Sequence, residues 1–318
     1  MNTPSSGNDK SQGLNGWDTL AERAPESLMV TVWRRFRRHP GAMAGSLVLF
    51  LSVMSIVLAS ASPYDPELSE ISRKLQPPSL EHPMGTDPLG RDLLTRVLYG
   101  GRISLTVGVL VVLITLLIGV PVGAVAGYFG GWIDNVLMRI TDAALSLPSL
   151  LVLILLSAML REMELPFVQR NNVMTIALVI GLLSWMTVAR LVRAAFLTIR
   201  ELDFVTAARC IGTSNLGIIV QHILPNSVGP IIVDSTLGLG YAILEESGLS
   251  FLGFGIQPPM PSWGNLLSNA QAHMTRHPWL AIFPGLMIFL AIISVNYIGD
   301  GLRDAFDPYK VLQKVGEV

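Results

Sequence analysis

A chain of 318 residues that is 51% hydrophobic and only 14% charged, with a mean hydropathy of +0.53, has too little polar surface to coat a soluble globule of its size. Its net charge of −1 excludes the dense basic surface that displaces counterions from duplex nucleic acid. Its one cysteine, Cys210, excludes a disulfide framework or a multi-cysteine metal centre and reads as a small packing residue.

In chain order, residues 1–30 are rich in Ser, Gly, Asn and Asp and carry no periodic apolar face or cleavage pattern, so they read as a disordered cytoplasmic tail. Uncharged runs then recur near 41–61, 103–127, 140–160, 173–189, 228–249 and 280–299. Each is close to the roughly 20 residues that cross a bilayer as a helix. Hydrocarbon cannot satisfy backbone hydrogen bonds, and the runs lack the alternation of barrel strands, so an all-α membrane protein of six transmembrane helices is expected. Arg34, Arg35, Arg37 and Arg38 precede the first run, Arg139 follows the second, and Arg190, Arg193, Arg200 and Arg209 follow the fourth. This asymmetry puts those loops and both termini in the cytoplasm, with Arg303, Lys310 and Lys314 in agreement. The segment 62–102 falls outside despite five basic residues, which six acidic ones accompany.

Within the second run, Gly119, Gly123 and Gly127 form a small-residue ridge at i, i+4, i+8. Such a ridge lets helices approach closely, inside the chain or, as the weaker reading, between subunits. Pro148, Pro230, Gly238, Gly240 and Pro284 suit a bundle whose helices bend.

The connection over 201–226 is the longest on the cytoplasmic side. Asp203 reads as an N-cap, and Phe204, Ala207, Ala208 and Ile211 recur on one side of a short helix that Gly212 ends. Thr213 or Ser214 caps a second short helix toward His222 and Pro225. A short helix with small side chains and Arg209 for directional hydrogen bonds has the character of a docking element.

Catalysis is not expected. None of the four lysines lies in a GxxxxG phosphate cradle, the five histidines form no HExxH pair, and no histidine lies inside a run to serve Ser250 of Gly248-Leu249-Ser250 as a base. No metal site is expected; His273 and His277 precede Pro278, which ends any helix that would pair them. Acidic residues inside the bilayer are the stronger functional candidates. At about 100° per residue, offsets of 7 and 11 return to within about 20° of the starting face. Asp234, Tyr241 and Glu245 therefore form one polar stripe on the fifth run. It faces a water-filled path, another subunit or a packed hydrogen-bonded seam.

Four ordered segments carry a resemblance. Ala207-Ala208, Gly212 and Leu224-Pro225 resemble the cytoplasmic signature loop of binding-protein-dependent ABC importer permeases. His82-Pro83-Met84-Gly85-Thr86-Asp87-Pro88-Leu89-Gly90-Arg91-Asp92, Arg102-Ile103-Ser104-Leu105, and Glu246 to Gly253 continuing to Ser262-Trp263-Gly264 resemble the C-type permease subunit of dipeptide and oligopeptide importers. The similarity spans about Arg34 to Pro308; one departure is Thr206, where the general loop has Glu and peptide-type members resemble this chain.

The resemblance implies a type I ABC importer permease fold in a prokaryotic inner membrane, organised as a helix plus external segment over 31–101, a transport core over 102–303 and a cytoplasmic tail over 304–318. It implies a second permease subunit in a heterodimer, two cytoplasmic ATPases that carry ATP and Mg, an external solute-binding protein, and no cofactor on this chain. Asp203, Ala207, Ala208, Arg209, Gly212, Leu224 and Pro225 would form the coupling loop, and the resemblance adds Glu246, about 120° from Asp234, to the path candidates. The implied solutes are di- or oligopeptides, with nickel, glutathione-like or modified peptides as alternatives. An ion-gradient-driven secondary transporter is the rival from another class, although no internal repeat supports it.

Overall fold

A computed structural model describes residues 28–163 and 172–307. The expected tails over 1–30 and 304–318 lie mostly outside the described residues. Their inner ends are helical, because α1 (Leu28–Phe36) starts within the first and α10 (Trp279–Phe306) runs into the second. Between these come α2 (Pro40–Leu58), α3 (Leu93–Phe129), α4 (Gly131–Leu145), α5 (Ser149–Glu162), α6 (Asn172–Ile199), α7 (Asp203–Cys210), α8 (Asn215–Phe251) and α9 (Trp263–Ala270). The described residues hold no strand beyond one isolated bridge between Thr86 and Asp92.

Five helices, α2, α3, α6, α8 and α10, are long and apolar enough to cross a membrane. Over 140–160, where a sixth continuous helix is expected, the chain instead forms a pair, α4 and α5, bent by 84°, the geometry of a broken span or a re-entrant loop. Ser146 ends α4 and Pro148 begins α5 without an N–H to continue the helical ladder. An apolar run marks residues that tolerate lipid and says nothing of whether the helix through them is straight.

The crossings also run further than their uncharged cores. α3 starts ten residues before the expected 103, where the Asp92 carboxylate accepts hydrogen bonds from the Thr95 N–H and hydroxyl, both at 2.7 Å. α6 continues past Arg190 and Arg193 to Ile199 because each cation has a carboxylate on α4: Arg190 pairs with Asp142, and Arg193 Nη2 donates to Asp134 at 2.6 Å.

The glycine ridge packs inside the chain, against α6. A Cβ on Gly119 would stand 2.7 Å from the Trp185 carbonyl oxygen, on Gly123 2.4 Å from that of Ala189, and on Gly127 2.6 Å from the Phe196 Cβ. Contacts this close let backbone pack on backbone, which in lipid replaces the missing hydrophobic drive between helices.

The residues 82–92 fold into a compact turn on the start of α3. Asp87 accepts from the backbone N–H groups of Leu89 and Arg91 and from Arg91 Nε, and His82 Nδ1 lies 2.9 Å from Asp92 Oδ1. The fully buried Arg96 donates to the Pro66 carbonyl at 2.6 Å, tying the extended chain after α2 to the core.

Candidate functional site

Three regions gather the residues singled out above. The first is the loop over 201–226, expected to be a docking element. α7 begins after Leu202, so Asp203 occupies its first turn instead of capping it, and Arg209 lies in the last turn. Each charge is at the helix end whose dipole it complements. Gly212, at φ +83°, closes the helix: its N–H donates to Arg209 O at 3.0 Å, and the Thr213 N–H reaches Ala208 O at 3.1 Å. This is the Schellman arrangement, which requires a left-handed residue that only glycine supplies without steric cost.

The buried face of α7 is Val205 and Ala208, packed with Phe196, Ile218 and Ile223. Of the four residues expected on one side, only Ala208 is buried; Phe204, Ala207 and Ile211 are exposed, the last at 82%. The expectation rotated the helix by one position because Phe204 is apolar, whereas Val205 fits the interior. Leu202 and Leu216 add to the exposed apolar surface. Cys210 is exposed too, contrary to a packing role. The Arg209 guanidinium lies 5.7 Å from the centre of the Tyr128 ring, and the Tyr128 hydroxyl donates to Asn215 Oδ1 at 2.8 Å.

The second helix of the loop is not short. Ser214 caps it, its hydroxyl accepting from the Gly217 N–H, and from Asn215 it continues as α8 through the whole crossing. Leu224 and Pro225 therefore lie within a helix. A π-helical stretch, Ile218–Ile223, precedes them, and the Leu224 N–H reaches back to Ile219 O. The wider turn accommodates the proline ring, which would otherwise crowd the carbonyl of Gln221. Asn226 Nδ2 and Ser227 Oγ take up the carbonyls of His222 and Ile223 at 2.6 and 3.0 Å.

The second region is a cavity of about 580 Å³ between α3, α6, α8 and the α4–α5 break, within the roughly 300–1,000 Å³ range of small-molecule pockets. Asp234, Tyr241 and Glu245 all line it, as the shared face expected from the 100° periodicity requires. Among the described residues no hydrogen bond or ion pair engages either carboxylate. Thr115, Ser149, Ser184 and Thr187 also line the cavity. Sequence reasoning did not find them, because Ser and Thr in apolar helices ordinarily bond to their own backbone and carry no separate signal.

Glu246 does not line this cavity. It is fully buried in the third region, where Ser104 Oγ and Ser250 Oγ each donate to its carboxylate at 2.7 Å. Ser250 is thus an interior hydrogen-bond partner. The Ser104 hydroxyl also accepts from the Trp263 N–H at 3.3 Å, and Trp263 Nε1 donates to Val97 O at 2.9 Å. A Cβ on Gly264 would stand 2.4 Å from the Ser247 carbonyl oxygen. Two segments that carried the resemblance, around Ser104 and from Glu246 to Gly264, meet at this one junction of α3, α8 and α9.

Comparison with known proteins agrees with this architecture. The profile of the family described as "Binding-protein-dependent transport system inner membrane component" matches residues 119–310, and that of the "N-terminal TM domain of oligopeptide transport permease C" matches residues 27–78. The chain is 42% identical to the dipeptide transport system permease protein DppC of Alkalihalophilus pseudofirmus, over 88% of this chain and 90% of that one. It is 40% identical to the oligopeptide transport system permease protein OppC of Mycobacterium bovis (87% and 93%), and 39% identical to the glutathione transport system permease protein GsiD of Pectobacterium atrosepticum (87% and 89%). With its apolar crossings and a family match over most of its length, this chain belongs to the inner-membrane component family of binding-protein-dependent transport systems, as a multi-pass permease subunit and not an enzyme.

Proposed function

We propose that this chain forms half of the translocation path of an ATP-driven importer for di- or oligopeptides. The observation that carries the solute class is the identity of about 40%, over nearly nine-tenths of the chain, to permeases named for dipeptides and oligopeptides. Relatives named for glutathione, at 39% and 41%, favour a small modified peptide as the second reading. The other half of the path comes from a second, different permease. Two cytoplasmic ATPases bind ATP and Mg and hydrolyse the ATP, and an external binding protein delivers the solute. Both termini lie on the cytoplasmic side, with 31–101 an addition to a transport core over 102–303.

In this reading α7 seats in a cleft of one ATPase. Its exposed Phe204, Ala207 and Ile211, with Leu202 and Leu216 beside them, form an apolar surface flanked by Asp203 and Arg209. Closure of the ATPases on ATP moves the two docked helices together. The continuity of α8 from Asn215 through Leu224 and Pro225 to Glu245 carries that movement to the cavity. ATP does this work only through its different affinity for the two arrangements. Asp234, Tyr241 and Glu245 face the solute, and Glu246 supports the outer end of α8.

The test is Ala207→Glu, which puts a charge in the middle of the exposed face and touches nothing buried. Uptake of a dipeptide is expected to be lost and the ATPases to fall away on purification, with membrane insertion unchanged. Normal solute-stimulated ATP hydrolysis in that variant would overturn the coupling assignment.

A further inference from the structure

Every hydroxyl that lines an apolar helix has a local acceptor in the carbonyl four residues back, and the cavity shows two that use it. Ser184 Oγ donates to Ile180 O at 2.9 Å and Ser235 Oγ to Ile231 O at 2.6 Å. Thr115 lines the same cavity and does not. It is only 8% exposed, and its hydroxyl is buried with no hydrogen-bond partner among the described residues. A polar atom left so is costly unless something else completes it. The α8 wall of the same cavity holds the carboxylates of Asp234 and Glu245, and no Lys, Arg or His is among the described lining residues. Tyr241 lies one helical turn from Glu245 on the same face and brings an aromatic ring. Carboxylate, hydroxyl and ring are the groups that receive an ammonium, which has three protons to donate and no capacity to accept.

We propose that this cavity is an ammonium-recognition site, which makes the path selective for solutes whose cationic groups match or outnumber their carboxylates. The inference rests on the transport reading above and deepens it. The two carboxylates are 11 residues apart on one helix, about 16 Å along its axis. A dipeptide spans about 7 Å when extended. It therefore meets one carboxylate at a time, and the pair provides two successive stations along the path. A solute with more carboxylates than ammonium groups, as glutathione has at neutral pH, is disfavoured by the same surface.

The experiment uses the complete complex in proteoliposomes: this chain with its second permease, its ATPases and its binding protein. Initial ATP-driven uptake of Ala-Lys and Ala-Glu is compared, each at a concentration that fills the binding protein by direct titration. The wild-type complex is expected to favour Ala-Lys by about tenfold, and the Asp234→Asn, Glu245→Gln double variant to bring the ratio within about twofold of one. Two further variants guard against misassembly. Thr115→Val keeps both carboxylates and is expected to lower the ratio about threefold, while Glu245→Asp keeps the charge and is expected to preserve it. An unchanged ratio in the double variant and in Thr115→Val, with uptake of either dipeptide persisting, would overturn the proposal and leave the transport reading intact. A wild-type complex that takes up neither dipeptide under ATP would overturn the peptide reading itself.

Discussion

At Glu246 the chain buries a carboxylate completely and meets it with hydroxyl groups, Ser104 and Ser250, in place of a cation. Removing the carboxylate takes the acceptor from both O–H donors, while the oxygens keep the backbone N–H groups of Trp263 and Ile256, so the roughly 1–3 kcal/mol for a buried group with no partner at all is an upper bound for each. Glu246→Ala is therefore expected to lower the thermal stability of the purified chain in detergent, whereas Glu246→Gln keeps an acceptor in place and is expected to cost less. Equal melting temperatures for Glu246→Ala and the wild type would remove the junction from the account of stability. The neighbouring Glu245 points to a different environment, the cavity, although the two residues are adjacent in sequence. An angular step of about 100° separates a candidate path residue from a structural one.

At the scale of the element, the seam between α3 and α6 depends on side chains that are absent. A branched side chain at Gly123 has nowhere to go, because its Cβ alone would stand 2.4 Å from a backbone oxygen. Gly123→Leu is expected to part the two helices and reduce the amount of folded chain recovered from membranes. Gly131→Ala, with nothing within 4 Å of an added Cβ but a φ of +57°, is expected to cost only about 1–2 kcal/mol of local strain. A fluorescence size-exclusion profile of both variants checks this, and a monodisperse Gly123→Leu would refute the close-packed seam.

This seam was legible from the spacing of Gly119, Gly123 and Gly127 alone, since a small-residue ridge has few other uses in lipid. The α4–α5 break was not. Pro148 lies in a run apolar enough to cross, and composition cannot distinguish a kinked crossing from a bend of 84°. For the docking loop, Gly212 correctly marked the end of α7 because a left-handed cap has a specific residue requirement. The rotation of α7 was misread because Phe204 and Val205 are both apolar, and the choice between them is made by the shape of the pocket beneath.

For the molecule as a whole, hydropathy accounts for the membrane location and the crossings. The proposed importer role leaves energy conversion to partner ATPases. Uptake by the assembled complex is accordingly expected to continue when the proton gradient is collapsed with ATP maintained, and to stop when ATP is withdrawn with the gradient maintained. The reverse pattern in proteoliposomes would return the chain to the class of gradient-driven carriers. The candidate cavity was half legible: its acidic stripe follows from periodicity on α8, but its other walls come from α3, α6 and the α4–α5 break, whose register against α8 is a property of tertiary packing.

The π-helical stretch Ile218–Ile223 lies between the docking element and the acidic stripe on one continuous helix. Each of its turns holds one residue more than an α-turn, so it stores a residue of slack in the chain. Loss of one residue there lets the stretch close to ordinary α-helix while both ends of α8 keep their angular phase. Loss of one residue between Asp234 and Tyr241 has no such reserve, and swings Asp234 about 100° away from the face that Tyr241 and Glu245 share. The helix thus behaves as a shaft with a single adjustable joint, placed where a change in length leaves the cavity's polar face aligned.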